Sequence, residues 1–196
     1  MRNFGLAFAL LSCLATSSLL QGFGTRTSPK LDRAWKHYRN TQWRYCVSYP
    51  SRWLKGDAFD GAGLFVETGA KKFSKPLGEI DIAAILPSDT AHAQTVDLGH
   101  DLEAHFEVLK RFERAERMEV LEQRRMQFLG YAAIFMKDRY YDPQERATWL
   151  EEMLLVDRKD SLFRLELECR ADQAARFEPV FTQVVDTFRF DCIAEH

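Results

Sequence analysis

Apolar positions along the chain change period several times, and each change marks an element. Gln42 to Tyr49 alternates, with Trp43, Tyr45, Val47 and Tyr49 on one face and Arg44, Cys46 and Ser48 on the other. That is a half-buried strand, and Pro50 ends it. Leu64 to Thr68 and Glu79 to Leu86 are shorter strand patterns, separated by a loop of Gly, Lys, Ser and Pro. From Thr95 to about Arg117 the period becomes helical. Leu98, Leu102, Phe106, Leu109 and Phe112 then fall on one stripe facing a core. Upstream, Leu31 to Asn40 is expected to form a short helix carrying Leu31, Ala34, Trp35 and Tyr38 on one side.

From Met118 onward the period returns to two. Met118 to Gln127 and Tyr131 to Tyr141 flank Gly130, a natural hairpin position. Asp142-Pro143-Gln144 makes the next turn and Asp157-Arg158-Lys159-Asp160 the one after, giving four consecutive antiparallel strands that end with Leu162 to Cys169. Ala147 to Val156 is apolar on both faces, with Trp149, Met153 and Leu155 opposed to Leu150, Leu154 and Val156. A strand of that kind must be covered on both sides. A closing helix carries Phe177, Phe181, Val184 and Phe188, with Pro179 at its start or at a kink and Asp172 as a cap of the preceding turn. The expected fold class is α+β, an antiparallel sheet sandwiched between helices.

The N-terminus reads differently. Residues 1–24 contain one charge, Arg2, followed by an apolar run from Phe4 to Leu14 and then small and polar residues. This is the layout of a secretory signal, and the apolar core is shorter than the roughly 20 residues a spanning helix needs. Ala15-Thr16-Ser17 and Gly22-Phe23-Gly24 both offer small residues for cleavage. Leu10-Leu11-Ser12-Cys13 resembles a lipobox, which makes Cys13 a lipidation candidate and a lipid anchor the alternative to soluble secretion. Gly22 to Pro29 is a breaker-rich linker, and a single domain is expected over residues 30–196.

Composition narrows the functional classes. The 196 residues are 46% hydrophobic and carry 27 basic against 29 acidic side chains. This balance lacks the basic excess of a nucleic-acid binder, and loss of Arg2 with the signal makes it slightly more acidic.

Several motifs in order resemble the PsbP-like superfamily. Tyr45-Cys46-Val47-Ser48-Tyr49-Pro50-Ser51-Arg52-Trp53 looks like its Tyr-Pro-x-x-Trp opening. Phe65 matches the strand after the Trp loop, Leu129-Gly130 its hairpin, and Thr187-Phe188-Arg189-Phe190 the tail of its closing helix. The resemblance spans about Gln42 to Phe190. It implies an antiparallel sheet between helices and the role of a binding or assembly protein without catalytic residues. The group is named for an extrinsic subunit of photosystem II and includes exported bacterial relatives and a nuclear-import factor that binds Ran.

Candidate chemistry is sparse. There is no nucleophile elbow, no cysteine–histidine signature and no glycine-rich phosphate loop, so no catalytic residue, cofactor or metal ligand is assigned. Asp97, Asp101 and His105 line one helix edge at four-residue spacing and are the nearest approach to a divalent-ion set, although His105 borders the apolar stripe. Glu151 and Glu152 point to opposite faces of a strand and are expected to be solvated or edge carboxylates rather than an acid–base pair. Arg111, Arg114 and Arg117, interspersed with Glu107, Glu113 and Glu116, read as a solvent face. The Trp and Tyr residues at alternating strand positions read as core. In an exported chain three cysteines remain, and Cys46 with Cys192 is the first disulfide candidate because it closes the longest loop. Cys169–Cys192 competes with it, and spacing does not choose between them.

The expectation is therefore a non-catalytic exported protein, periplasmic or extracellular, that binds a protein partner or assists assembly of an envelope complex. The alternative is a small-ligand or divalent-metal binding protein using a pocket between sheet and helix.

Overall fold

A computed structural model describes residues 34–56, 63–66, 76–85, 98–112, 115–159 and 161–192. Residues 1–24, read as a signal from the sequence and including Cys13, lie outside the described residues, as does Asp97. Among the described residues ten strands run in chain order: β1 (Trp35–Asn40), β2 (Tyr45–Pro50), β3 (Leu54–Gly56), β4 (Leu64–Val66), β5 (Gly78–Ile85), β6 (Glu116–Phe128), β7 (Tyr131–Asp142), β8 (Ala147–Asp157), β9 (Leu162–Arg170) and β10 (Arg189–Phe190). Helix α1 (Leu98–Phe112) precedes β6. Helix α2 (Ala174–Thr187) follows β9 through a single 3₁₀ turn at Ala171–Gln173.

The strands form two antiparallel sheets. The larger has the order β3-β4-β5-β9-β8-β7-β6 and the smaller β1-β2-β10. The four strands read from Met118 onward are consecutive neighbours, joined by tight turns. At the first turn Leu129 (φ 51°) and Gly130 (φ 85°) both adopt left-handed backbone, and Phe128 pairs with Tyr131 across it. A two-residue loop of this twist matches the twist of the flanking strands, which sets the register of the β6–β7 hairpin.

The expected helix over Leu31 to Asn40 is corrected: residues Trp35–Asn40 are strand β1, paired with β2 from Trp35–Pro50 to Asn40–Tyr45. Six residues are too few to separate a 3.6 period from a period of two, and Trp and Tyr favour a pleated, half-buried surface. Tyr38 packs edge-on against Tyr45 and Phe65, with ring centroids 5.9 and 5.6 Å away.

Both faces of the large sheet are covered. On one, Leu154, Val156, Leu165 and Leu167 meet Phe177, Phe181 and Val184 of α2 together with Tyr45 and Val47 of β2. The small sheet thus shares with α2 a task the sequence assigned to a helix alone. Each large apolar side chain buried there contributes about 1.5–3 kcal/mol. Pro179 lies inside α2 rather than at its start. On the other face, Met136, Met153 and Leu155 pack with Phe106, and Tyr140 and Trp149 pack with Leu109, so α1 covers this side. Trp53, Tyr49 and Trp149 are buried core residues.

Candidate functional site

Strand alternation decides which acids share a face. On β8 the even positions turn to α2 and the odd positions to α1, so Glu151 and Glu152 do point opposite ways. The expectation that both are solvated fails, because both are buried. Glu152 meets Lys137 Nζ at 3.0 Å, and the same ammonium reaches Glu178 of α2 at 2.7 Å. Burial lifts the Glu152 carboxyl above its ordinary range, while the Lys137 partner works against that rise.

Glu151 faces α1 with 1% exposure, and the register places Asp138 of β7 directly opposite on one side and Glu168 of β9 on the other. Asp138 is fully buried, and neither of its carboxylate oxygens has a hydrogen-bond partner among the described residues. From the helix, His105 Nε2 approaches the Glu151 carboxylate at 3.0 Å from one oxygen and 3.1 Å from the other. Nε2 makes one hydrogen bond with this carboxylate, through Oε2, and Oε1 is left without a hydrogen bond. One donor atom each from His105, Asp138 and Glu151 lies within 4.8 Å of the others.

The surroundings add negative charge. Tyr140 donates its hydroxyl to Glu168 at 2.5 Å. Arg164 spans Asp81 at 3.3 Å and Glu166 at 2.8 Å. Burial lowers the His105 pKa, opposed by Glu166 and reinforced by Arg164, so the imidazole is held neutral. Burial, then the charges of Glu166 and Glu168, push Asp138 up to about 7. Burial followed by Glu166 holds the Glu151 carboxyl well above the usual range. Desolvation penalises the charged form of every acid here, and like neighbours deepen the effect.

Beside this group lies a cleft of about 220 Å³ lined by Val108, Met153, Leu155 and Leu162, with His105 and Arg164 as its polar members. The Asp138 and Glu151 carboxylates do not line it. A substrate in the cleft would meet an imidazole and a guanidinium but not the acids.

Of the helix-edge set read from sequence, Asp97 and the side chain of Asp101 fall outside the described residues, and His105 turns to the sheet. Sequence reasoning missed Asp138 as a partner. Its signal was the strand register, since the two turns bounding β8 place Asp138, Glu151 and Glu168 at one level. Of the basic stretch, Arg111 and Arg117 are exposed, as are Glu107 and Glu116, and Glu113 and Arg114 lie outside the described residues.

The structure closes a disulfide between Cys46 of β2 and Cys192, with Cα atoms 5.9 Å apart, and leaves Cys169 as a buried thiol. Among the described residues no helix is long and apolar enough to cross a membrane.

No family model and no curated protein matches the sequence. Solved structures do match in fold. The chain is similar to the solution structure of cyanobacterial PsbP (CyanoP) from Synechocystis sp. PCC 6803, at 14% identity and a TM-score of 0.56, covering 84% of this chain and 97% of that one. It is also similar to a Bacteroides thetaiotaomicron protein at 12% identity and a TM-score of 0.52, covering 83% of this chain and 50% of that one. A third is LpqN of Mycobacterium tuberculosis, a protein involved in cell envelope biogenesis, at 12% identity and a TM-score of 0.51, covering 79% and 88%. The fold is PsbP-like, as the motif order implied.

Proposed function

We propose that this chain is an exported, non-catalytic protein of the cell envelope that binds a protein partner or assists assembly of an envelope complex. The observation that carries the reading is the Cys46–Cys192 disulfide, which closes the chain across a sequence separation of 146. Such bridges persist in oxidising compartments outside the cytoplasm. The signal-like residues 1–24 supply the route, with the domain over 30–196 as the mature unit and Cys13 as the alternative, lipid-anchored mode. A fold shared with LpqN, involved in cell envelope biogenesis, supports the same location.

Two features support binding rather than catalysis. The acids that could move protons are sealed beneath α1, away from the cleft. Strand β6, by contrast, is a thirteen-residue edge of the large sheet, with Val120 and Leu121 48% and 41% exposed. An exposed edge offers backbone donors and acceptors to a partner's strand, and its charged side chains limit self-pairing.

The test is fractionation of the native host followed by a pull-down of the full tagged chain from membrane and soluble envelope fractions. An envelope protein should co-purify with the oxidised chain and be lost from a Val120→Asp/Leu121→Asp variant. An exclusively cytoplasmic location of the native protein would overturn the reading.

A further inference from the structure

The acids beneath α1 are a problem of charge that the described residues do not solve. Asp138, Glu151 and Glu168 stand side by side on three adjacent strands, with Glu166 two residues from Glu168 on the same face. The guanidinium of this cluster, Arg164, is already taken up by Asp81 and Glu166. Asp138 is fully buried with both oxygens unpartnered, and Glu151 Oε1 has no hydrogen bond. Buried carboxylates in that state are costly unless a cation or a proton neutralises them.

We propose that His105, Asp138 and Glu151 bind a divalent first-row cation of the Zn²⁺ type, which fastens helix α1 to the sheet. Donor atoms sharing a tetrahedral ion at about 2.0–2.2 Å stand roughly 3.3–3.6 Å apart, so a spacing within 4.8 Å closes with side-chain movements of up to about an ångström. One imidazole and two carboxylates are borderline and hard donors. That set suits Zn²⁺ or Mn²⁺, lacks the thiolate that favours Cu(I), and falls short of the six to eight oxygens Ca²⁺ takes. The imidazole, held neutral by burial, presents Nε2 toward the carboxylates. Of the three ligands, His105 alone borders the cleft.

Three elements meet at the ion: β7 through Asp138, β8 through Glu151 and α1 through His105. The rest of the described α1 packing is carried by Phe106 and Leu109. Occupancy of the site therefore controls how firmly α1 covers this face.

The experiment uses the full chain, stripped with chelator and titrated with Zn²⁺ by calorimetry at neutral pH, with elemental analysis alongside. One Zn²⁺ per chain is expected. Asp138→Asn and His105→Ala should each weaken it by more than the about 10–100-fold typical of losing an outer-shell partner. Asp138→Asn keeps the side-chain size and removes an unpartnered charge, so the variant folds. Hydrogen exchange supplies a second readout: Zn²⁺ should protect the amides of residues 98–112 in the wild type and not in the variants. Absence of bound Zn²⁺ would overturn the proposal in favour of acids neutralised by protons. Equal affinity in wild type and both variants would overturn it in favour of an ion held elsewhere. None of these outcomes bears on the docking role of β6, which is read by pull-down.

Discussion

Asp138 and Glu151 face each other directly across the β7–β8 ladder, both sealed from solvent and both on the α1 face. Opposed like charges destabilise a strand pair, and removal from water strengthens the repulsion. The row continues through Glu168 on β9 to Glu79 on β5, so four adjacent strands place an acid at one level. On either side of it β7 and β8 pair Met136 with Met153 and Tyr140 with Trp149. The acids interrupt an otherwise apolar face, which is hard to reconcile with stability as their sole purpose.

The first consequence is a pH dependence of the ion-free protein. Asp138 rises from 3.8 to about 7 through burial and then Glu166 and Glu168, and Glu151 rises well above 4.5 through burial and then Glu166. His105 from α1 and Arg164 from β9 face the same space. Both acids bind protons more tightly in the folded state than in the unfolded one. Their stabilising contribution is therefore present in acid and lost as pH rises through about 7. In chelator, the urea midpoint should be higher at about pH 5.5 than at about pH 8, and Asp138→Asn should flatten the slope. A midpoint that rises with pH over that window, or an unchanged slope in the variant, contradicts the assignment.

The disulfide yields a second expectation. Its loop of 146 residues is long, and the chain-entropy model assigns a closure of that length about 5 kcal/mol at most. Cys46 also pairs with Arg189 of β10, so the bond fastens the C-terminal strand to β2. A Cys46→Ser/Cys192→Ser protein should lose roughly 2–5 kcal/mol in urea unfolding, and a reductant should lower the melting temperature of the wild type but not of the variant. A loss under about 1 kcal/mol would show that β10 holds without the bond.

Much of this fold was legible in the chain. Alternation from Tyr131 to Cys169, with turns at Gly130 and Pro143, located three long strands and their order. The two-sided β8 pattern required cover on both faces, which α1 and α2 supply. What escaped was non-local. Strand β1 was misread because six residues around Trp35 and Tyr38 carry too little periodicity, and its pairing with β2 decides the matter. The acid row escaped because each carboxylate looks ordinary within its own strand. Only the cross-strand register brings Asp138, Glu151 and Glu168 together, and only the packing of α1 brings His105 to them. A helix-only search on four-residue spacing finds His105 but not Asp138 or Glu151, which lie on other elements.

Cys169 tests the opposite face. It lies on β9 among apolar neighbours, and burial, then the nearby Glu178 and Glu152, push its thiol up to about 12. The thiolate is the reactive species, so the native thiol is chemically silent near neutrality. An aromatic disulfide reagent should leave the folded protein unmodified over hours at about pH 8 and titrate one thiol per domain in denaturant. Rapid modification of the folded chain would mean that α2 opens over β9 far more often than its packing implies.

Gly78 and Gly130 separate two reasons for lacking a side chain. Gly78 opens β5 opposite Cys169, and the Phe177 ring of α2 lies over it. A Cβ there would sit 2.8 Å from Cε1 and 2.9 Å from Cδ1 of that ring, so the ring must move. Phe177 also packs edge-on against Trp53, with centroids 5.9 Å apart, and a displaced ring disturbs that contact as well. Gly130 has nothing within 4 Å of its would-be Cβ, but its φ of +85° strains any L side chain. Gly78→Ala should therefore cost about 1–3 kcal/mol by overpacking and change the near-ultraviolet circular dichroism of Trp53. Gly130→Ala should cost about 1–2 kcal/mol through the backbone alone and leave that signal intact. A Gly78→Ala protein with native stability and an unaltered Trp53 signal would show that α2 sits farther from β5 than this packing requires.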